Sequence, residues 1–236
     1  MGLGIGMHLG VPRAQKPGGV IEKNGLVLFN RFTPTEQTYP AQGSAEFDGV
    51  TDYVQLPTPF SHTNHTIAAW VYANDTSVSK CIFDQRDAND DGIRLLVLDD
   101  ETIFYSINAS DVQYITPIRN EWVYAVGTYD GTTQKLYIDG SQVVSATTSQ
   151  TVSTTTNARI GSQSDALRNY MDGNLANVSI WNRALTSDEI NSVMWKSYNA
   201  LSATEKSGLQ AWYSLDDIDG TSVPDSSGNG NDGTAN

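Results

Sequence analysis

Between residues 122 and 144 the chain alternates large apolar side chains with small or polar ones. A period of two is typical of β-strands, because successive side chains point to opposite faces of a sheet. The alternation places Trp122, Tyr124 and Val126 on one face, and the pair Asp139-Gly140 suits a two-residue turn with positive φ at both positions. The segment therefore predicts three consecutive antiparallel strands, whose inner face a second layer must cover.

Strand-like segments recur from residue 45 to residue 181, about every 8–15 residues, with Gly, Asp, Asn and Pro between them. This spacing is typical of an antiparallel sandwich and not of alternating strands and helices. Thr186 and Glu189 form a capping box that predicts one helix, and Ser202 with Glu205 predicts a second short one. We therefore expect an all-β fold, a two-sheet antiparallel sandwich with one or two short helices near the C-terminus.

The domain organisation is expected to have three parts. Residues 1–43 are rich in Gly and Pro and cannot enclose a core, so they form either a flexible terminus or an extended arm on a neighbouring subunit. The sandwich is expected over residues 44–195. Residues 196–236 hold a strand and a Gly/Asn/Asp-rich tail, which either complete the same sandwich or are the stub of a second repeat. The apolar residues that favour an arm are Leu3, Ile5, Met7 and Leu9.

The charge balance excludes some partners. The chain has 14 Lys and Arg against 27 Asp and Glu, a net charge of −13. We therefore expect no nucleic-acid partner, which clustered cations would bind, and no docking on anionic lipid. No apolar run has the length of a membrane span, and the first ten residues lack the pattern of a signal peptide. Cys81 is the one cysteine and is expected to be a small buried hydrophobe.

Several short motifs occur in a fixed order from about residue 44 to residue 195. They are Phe47-Asp-Gly49, Asp52-Tyr-Val54, Thr66-Ile-Ala-Ala-Trp-Val71, Tyr129-Asp-Gly131, Leu136-Tyr-Ile-Asp-Gly140, Ile160-Gly161 and the segment 172–186. Together they resemble the laminin-G-like domains of the concanavalin A-like lectin/glucanase superfamily. The resemblance implies a jelly-roll sandwich, often with a calcium ion, and a binding role. In many such domains, however, segments like 209–216 and 225–233 precede the Phe-Asp-Gly strand, whereas here they come last.

A weaker resemblance concerns the start of the chain. A Gly-rich apolar beginning before such a module is similar to structural proteins of tailed-phage virions. We therefore expect a non-enzymatic structural or adhesive protein of a virion, a homo-oligomer that contacts other virion subunits or its own copies through residues 1–43. The alternative is a free-standing carbohydrate-binding module of a secreted or surface protein, located outside the cell or on its surface and bound to cell-surface glycans. The third class is a glycoside hydrolase.

Hydrolysis is the least favoured of these functions. Glucanases of the superfamily carry the motif Glu-x-Asp-x-x-Glu, because a retaining enzyme needs a nucleophile and an acid about 5–5.5 Å apart. Here Glu46 and Asp48 match the first two positions, but Thr51 stands where the acid belongs. We therefore expect no catalytic residue. His62 and His65 are expected to be solvated loop residues.

The first candidate metal loop begins at Asp87. Asp87, Asn89 and Asp91 supply oxygens at alternate positions and Gly92 follows, as in the first half of an EF-hand loop. Leu98 stands where that loop needs a bidentate Glu. The segment is therefore either a calcium loop or an ordinary polar turn, in which Asp, Asn and Gly are favoured.

The second candidate metal loop lies in the tail. Asp225, Asn229, Asn231 and Asp232 carry oxygen donors, and the family resemblance favours this loop for one calcium ion. Asp48 is expected to join them if the tail packs beside its strand. The alternative is a disordered tail.

A bound sugar needs an exposed aromatic face for its C–H groups, together with polar groups for its hydroxyls. Four aromatic residues lie near expected loops or strand ends and are the candidate ligand-binding residues. They are Tyr105, Tyr114, Tyr170 and Trp195.

Overall fold

The computed structural model describes residues 20–23, 26–29, 43–57, 60, 63–87, 89, 91–108, 110–151, 157–164 and 168–236. The strands in chain order are β1 (Val20–Lys23), β2 (Leu26–Phe29), β3 (Ala45–Asp48), β4 (Val54–Gln55), β5 (His65–Ala73), β6 (Lys80–Arg86), β7 (Gly92–Val97), β8 (Thr102–Ile107), β9 (Ser110–Ile115), β10 (Trp122–Tyr129), β11 (Thr133–Ile138), β12 (Ser141–Thr147), β13 (Arg159–Ile160), β14 (Asp172–Trp181), β15 (Leu209–Tyr213), β16 (Ser222–Val223) and β17 (Gly233–Ala235). Two short helices, α1 (Ser187–Val193) and α2 (Ala203–Lys206), flank a 3₁₀ turn at Tyr198–Ala200.

Within these residues the strands form two antiparallel sheets, which confirms the expected sandwich. The first sheet has the order β1-β2-β3-β14-β5-β10-β11-β12, with β15 also paired to β14. The second has the order β16-β17-β4-β13-β6-β7-β8-β9. Apolar side chains from both sheets, such as Val71, Ala125, Ile82 and Leu95, form one core between them. The fold is the all-β jelly-roll architecture that the motifs imply.

The meander of β10, β11 and β12 forms as the alternation predicts. Tyr124 and Val126 pack together on the outer side of the first sheet, with Trp122 partly buried against them. Asp139 and Gly140 connect β11 to β12 and have φ values of 49° and 78°. Cys81 is buried, also as expected.

The two helices cover the outer face of the first sheet. Both capping boxes are present, with Thr186 and Glu189 at α1 and Ser202 and Glu205 at α2. Ile190 and Val193 of α1 are buried against an aromatic cluster on this face. The larger members of that cluster are Trp70, Trp181 and Trp212. Indole N–H groups tie the layers together, since Trp70 donates to the carbonyl of Met194 (2.9 Å) and Trp181 to that of Glu205 (2.8 Å).

Strands from the C-terminal segment belong to both sheets. Along one side, β14 pairs first with β3, at Leu175 and Ala45, and then with β15, at Val178 and Tyr213. Asn177 lies at this change of partner and has a φ of 50°, which marks a bulge. In the second sheet β17 pairs with β4. Residues after 195 therefore complete hydrogen-bonded ladders on both layers.

The structure describes two strands within the segment 1–43. The hairpin of β1 and β2 extends the first sheet, because β2 pairs with β3 through Val27 and Glu46. Leu3, Ile5, Met7 and Leu9 lie outside the described residues, so the arm that they favour stays a prediction. Among the helices that the structure describes, none is long and apolar enough to cross a membrane.

Candidate functional site

The outer face of the second sheet carries a row of polar residues, one from each strand. Consecutive members of the row are cross-strand partners, so their side chains share one face of the sheet. The members in spatial order are Ser222, Thr234, Gln55, Arg159, Asp84, Arg94, Ser106 and Asp111. This face therefore differs from the outer face of the first sheet, which helices and tryptophans cover.

Arg159 lies in the middle of the row and is half-buried. Its guanidinium carbon lies 4.8 Å from the centre of the Tyr53 ring. Its Nε donates to Oε1 of Gln55 (3.0 Å), and its Nη1 donates to the main-chain oxygen of Gln163 (2.8 Å). The Gln55 amide nitrogen is itself fixed by the carbonyls of Leu56 (3.1 Å) and Ala158 (3.2 Å). The ring, the amide and the guanidinium are therefore held in set orientations.

A loop beside Arg159 adds further polar groups. The described parts of this loop are residues 161–164 and 168–171, and the N–H of Met171 donates to the carbonyl of Gly161 (2.8 Å). Inside it, Nε of Arg168 donates to Oε1 of Gln163 (2.6 Å). Tyr170, a predicted ligand-binding residue, lies in the same loop and is half-buried. The structure thus places Tyr170 in the loop that borders the Arg159 site.

The next member of the row, Asp84, is already paired. One of its oxygens accepts from Nε of Arg86 at 2.7 Å, and both side chains are almost wholly buried. The other oxygen accepts hydrogen bonds from the N–H and the hydroxyl of Ser164. A buried carboxylate requires such compensation, because burial without a partner is costly. Asp84 is therefore part of the support beneath the face and does not compete for Arg159.

The far part of the face is more apolar. The guanidinium of Arg94 lies 4.9 Å from the centre of the Phe104 ring. Phe104 packs with Leu96 and Cys81 in a small cluster on this outer side. The face therefore combines planar polar groups with aromatic rings at two places along the row.

The other predicted aromatic residues do not converge with Tyr170. The prediction for Tyr105 is wrong, because this residue is 0% exposed and points into the core, where its hydroxyl lies 2.6 Å from Nε2 of His65. His65 is likewise buried in β5, contrary to the expectation of a loop residue, whereas His62 lies outside the described residues. Tyr114 is 43% exposed on the edge strand β9, and Trp195 is 37% exposed over Trp70 on the helical side.

Sequence reasoning missed Arg159, Tyr53 and Gln163. The signal available in the sequence was the alternation within this short strand. Alternation alone places Arg159 opposite the core-facing Ile160. Alternation does not indicate which strand lies beside β13, so the contact between Arg159 and Tyr53 was not predictable from the sequence.

Polar side chains in the loop between β6 and β7 form hydrogen bonds with main-chain groups of the same loop. The carboxylate of Asp87 accepts hydrogen bonds from the N–H groups of Asn89 (2.8 Å) and Asp91 (3.1 Å). This arrangement is that of an Asx-stabilised turn, in which Asp and Asn satisfy nearby main-chain donors. The calcium expected at Asp87, Asn89 and Asp91 stays a prediction.

The tail loop is also closed by its own hydrogen bonds. Asp232 accepts from the N–H of Asp225 (2.8 Å), while the amide nitrogens of Asn229 and Asn231 donate to main-chain carbonyls of β15. Asp48 serves a different loop, where its carboxylate accepts from the N–H groups of residues 50–52. In the part of the chain that the structure describes, no three His, Cys, Asp or Glu residues are grouped to hold a metal. Calcium at the tail also stays a prediction.

The carboxyl group of Asp52, in the loop before Tyr53, makes the free energy of unfolding depend on pH. Burial and the nearby charge of Asp48 raise the pKa of Asp52 to about 6, although the N–H of Asp48 donates to it (3.0 Å). A carboxyl with a raised pKa stabilises the fold fully below its unfolded pKa, and this contribution is lost as the pH rises through about 6. We expect wild type to lose about 1–2 kcal/mol of unfolding free energy between pH 4 and pH 7 relative to Asp52→Asn.

Urea unfolding of both proteins across this pH range measures the difference. Equal pH slopes for wild type and Asp52→Asn would show that the carboxyl titrates with its ordinary pKa.

Residues 48–191 match a laminin G family model that is described as the concanavalin A-like lectin/glucanases superfamily. No curated protein matches the chain closely enough to count as a relative. Several solved structures share the fold. A candidate carbohydrate binding protein from Bacteroides ovatus superposes with a TM-score of 0.69 at 16% identity, covering 84% of this chain and 59% of that chain.

Two further structures are similar. The heptameric SAP-like pentraxin of Limulus polyphemus has a TM-score of 0.55 at 17% identity, over 68% of this chain and 84% of that chain. The CBM40 of the Ruminococcus gnavus IT-sialidase, bound to α2,3-sialyllactose, has a TM-score of 0.52 at 10% identity, over 64% of this chain and 97% of that chain. These identities show a shared fold. Because the family match spans more than half of the sequence, the chain belongs to the concanavalin A-like lectin/glucanases superfamily.

Proposed function

We propose that the chain is a non-catalytic carbohydrate-binding module, with its ligand on the outer face of the second sheet around Arg159. The observation that carries this proposal is the half-buried guanidinium stacked on Tyr53 and flanked by Gln55 and the loop of Gln163. Guanidinium and amide groups donate hydrogen bonds in fixed directions, which suits the hydroxyls of a sugar. An aromatic ring at the same place offers a surface for the C–H groups.

Rigid placement supports a binding role for this face. The site is built from β4, β13 and residues 161–164, and its central side chains, Gln55 and Arg159, start from hydrogen-bonded strands. The chain of contacts from Tyr53 through Arg159 and Gln55 fixes side chains that would otherwise lose rotamer freedom on binding. A ligand that meets an ordered site costs less conformational entropy to bind.

The comparisons support this function better than a virion role. The Bacteroides ovatus protein is described as carbohydrate binding and the Ruminococcus gnavus CBM40 as bound to α2,3-sialyllactose, whereas no comparison points to a phage particle. The Bacteroides ovatus protein is longer, since this chain covers 59% of it, so the activity of that whole protein is not transferred. Virion location, homo-oligomerisation and contacts through residues 1–43 stay predictions.

We propose a non-catalytic module because Glu46 and Asp48 lack the third carboxylate that a glucanase of this superfamily uses as its acid. Both side chains lie on the outward side of β3, but Thr51 donates its hydroxyl to Asp48 (3.1 Å) and supplies no acid. Burial raises the pKa of Asp48, but hydrogen bonds from the N–H groups of Thr51, Val50 and Asp52 outweigh it and lower the pKa below 3.8. A general acid needs a raised pKa, so Asp48 is suited to hold its loop and not to donate a proton.

A panel of immobilised oligosaccharides tests the function. We expect wild type to bind at least one glycan and to hydrolyse none, with an affinity that falls at least tenfold in Tyr53→Ala, because the ring no longer orients Arg159. Tyr114→Ala and Trp195→Ala are the matched controls, since both rings are exposed on other surfaces. Titration calorimetry measures the affinities, and circular dichroism checks that each variant is folded.

Two results would contradict the proposal. Failure of wild type to bind any member of a broad panel would argue against carbohydrate binding. Loss of affinity in Trp195→Ala with full affinity in Tyr53→Ala would place the ligand on the helical side of the molecule.

A further inference from the structure

We infer that the ligand class of this face is an acidic oligosaccharide, whose carboxylate binds the guanidinium of Arg159. The inference rests on the proposed function and adds the charge of the ligand. Three observations support it: the contacts of Arg159, the hydrogen bonds and ion pairs already made by the neighbouring carboxylates, and the net charge of the chain.

Arg159 makes its contacts with neutral groups. Its two hydrogen bonds go to the side-chain oxygen of Gln55 and to the main-chain oxygen of Gln163, and its central carbon lies over the neutral ring of Tyr53. The chain has 27 acidic residues, yet no carboxylate oxygen of the described residues lies within 4 Å of this guanidinium. Among the described residues, no carboxylate therefore compensates this half-buried cation, although the chain has a net charge of −13.

Among the described residues, two nearby carboxylates are bound by other groups: the one opposite Arg159 across the sheet and the one beside Tyr53 in the chain. Asp84, the cross-strand partner of Arg159, is held by Arg86 and Ser164. Asp52, the neighbour of Tyr53, accepts a hydrogen bond from the N–H of Asp48 inside its own loop. No hydrogen bond or ion pair joins either carboxylate to Arg159, so no carboxylate of the described residues neutralises this charge.

The geometry suits a carboxylate better than a hydroxyl alone. A guanidinium has five N–H donors, and two of those of Arg159 are used. The remaining three are one donor of Nη1 and both donors of Nη2. One donor from each terminal nitrogen can pair in parallel with the two oxygens of a carboxylate, a pairing about twice as strong as a neutral hydrogen bond. Stacking on Tyr53 and the anchor on Gln55 fix the plane in which that pair would form.

The neutral polar residues beside Arg159 and the net negative charge of the chain favour a ligand with isolated acidic groups. The same row includes polar neutral residues on one side of Arg159, namely Gln55, Thr234 and Ser222, which suit sugar hydroxyls. A net charge of −13 repels a densely charged polyanion, and it is the reason why a nucleic acid is not expected. A saccharide with one carboxylate for each bound segment meets both conditions.

Pairs of ligands that differ in one charge test the inference. We expect the full chain to bind oligouronates or sialylated oligosaccharides at least tenfold more tightly than the methyl esters of the same sugars in titration calorimetry. The preference should weaken as salt is raised, because the pair is partly exposed. Arg159→Gln should reduce the preference to less than threefold, and Arg159→Lys should retain part of it, since lysine keeps the charge but not the planar pair of donors.

Arg119→Gln is the matched control. It removes the same charge from a surface arginine that pairs with Asp75 (3.4 Å), and it should leave the preference unchanged. Equal affinity of wild type for an acid and its ester would overturn this inference while carbohydrate binding stands. Binding of no sugar at all would overturn both. The comparison of acid and ester uses wild type, so it decides the question even if Arg159→Gln fails to fold.

Discussion

Replacing Gly127 by Ala is expected to lower the free energy of unfolding by about 3 kcal/mol. Gly127 lies on the inner face of β10, and a Cβ atom there would lie 2.4 to 2.6 Å from three ring atoms of Tyr105. These distances are far inside van der Waals contact, so the ring or the strand must move. Tyr105 cannot swing away without loss, because it is wholly buried and its hydroxyl lies 2.6 Å from Nε2 of His65.

A double-mutant cycle measures the cause of this effect. In guanidinium unfolding, Gly127→Ala should cost much less in a Tyr105→Leu background, because the smaller side chain leaves room for the methyl group. The coupling energy between the two positions should then exceed about 1 kcal/mol. If Gly127→Ala costs the same in both backgrounds, backbone propensity and not the contact with Tyr105 decides the outcome.

The contact between Gly127 and Tyr105 shows which structural features the alternation of residues predicts and which it does not. Alternation along β10 predicts the outward face, and Tyr124 and Val126 do lie together there. It also predicts that Gly127 points inward, but not that the ring of Tyr105 fills the space above it. That contact joins the two sheets, and its partners depend on how the sheets are stacked. Tyr105 therefore looked like a candidate binding residue and is in fact part of the core.

The candidate site shows the same limit over a longer distance in sequence. Tyr53 and Arg159 are brought together because β4 pairs with β13, with Gln55 opposite Arg159. The pattern predicts a strand in each segment, but it does not indicate that these two short strands are neighbours in the sheet. Local signals performed better, since the capping boxes and the turn at Asp139-Gly140 depend only on neighbouring residues.

Side-chain hydrogen bonds explain why the C-terminal tail is ordered despite its composition. A run of Ser, Gly, Asn and Asp favours turns and is also typical of disordered termini. Here Asn229 and Asn231 donate to the carbonyls of β15, and the hydroxyl of Tyr213 donates to the carbonyl of Asn231 (2.6 Å). Burial, followed by the charges of Asp225 and Asp232, raises the pKa of Tyr213 well above its ordinary value, so this hydroxyl keeps its proton and remains a donor. The tail is therefore held along β15 and continues into β17 of the opposite sheet.

Asp225 is the centre of this attachment, and Asp225→Ala is expected to cost about 3–4 kcal/mol of unfolding free energy. The side chain is 8% exposed, and its two oxygens accept four hydrogen bonds. They come from the N–H groups of Trp212 (2.9 Å), Ser227 (2.9 Å) and Asn231 (3.2 Å) and from the hydroxyl of Ser227 (2.7 Å). Alanine leaves these donors without an acceptor, and the melting temperature should fall by about 8–12 °C.

Asp219→Ala is the control for this prediction, because Asp219 is exposed in the same segment and its carboxylate makes no hydrogen bond with the residues described. It should shift the melting temperature by about 1 °C or less. Calorimetry with calcium chloride completes the test: a calcium ion at the tail should raise the melting temperature of wild type and of Asp219→Ala, but not of Asp225→Ala. Equal stability of the Asp219 and Asp225 variants would contradict the role of Asp225. Equal calcium binding by wild type and Asp225→Ala would exclude a metal role for this carboxylate.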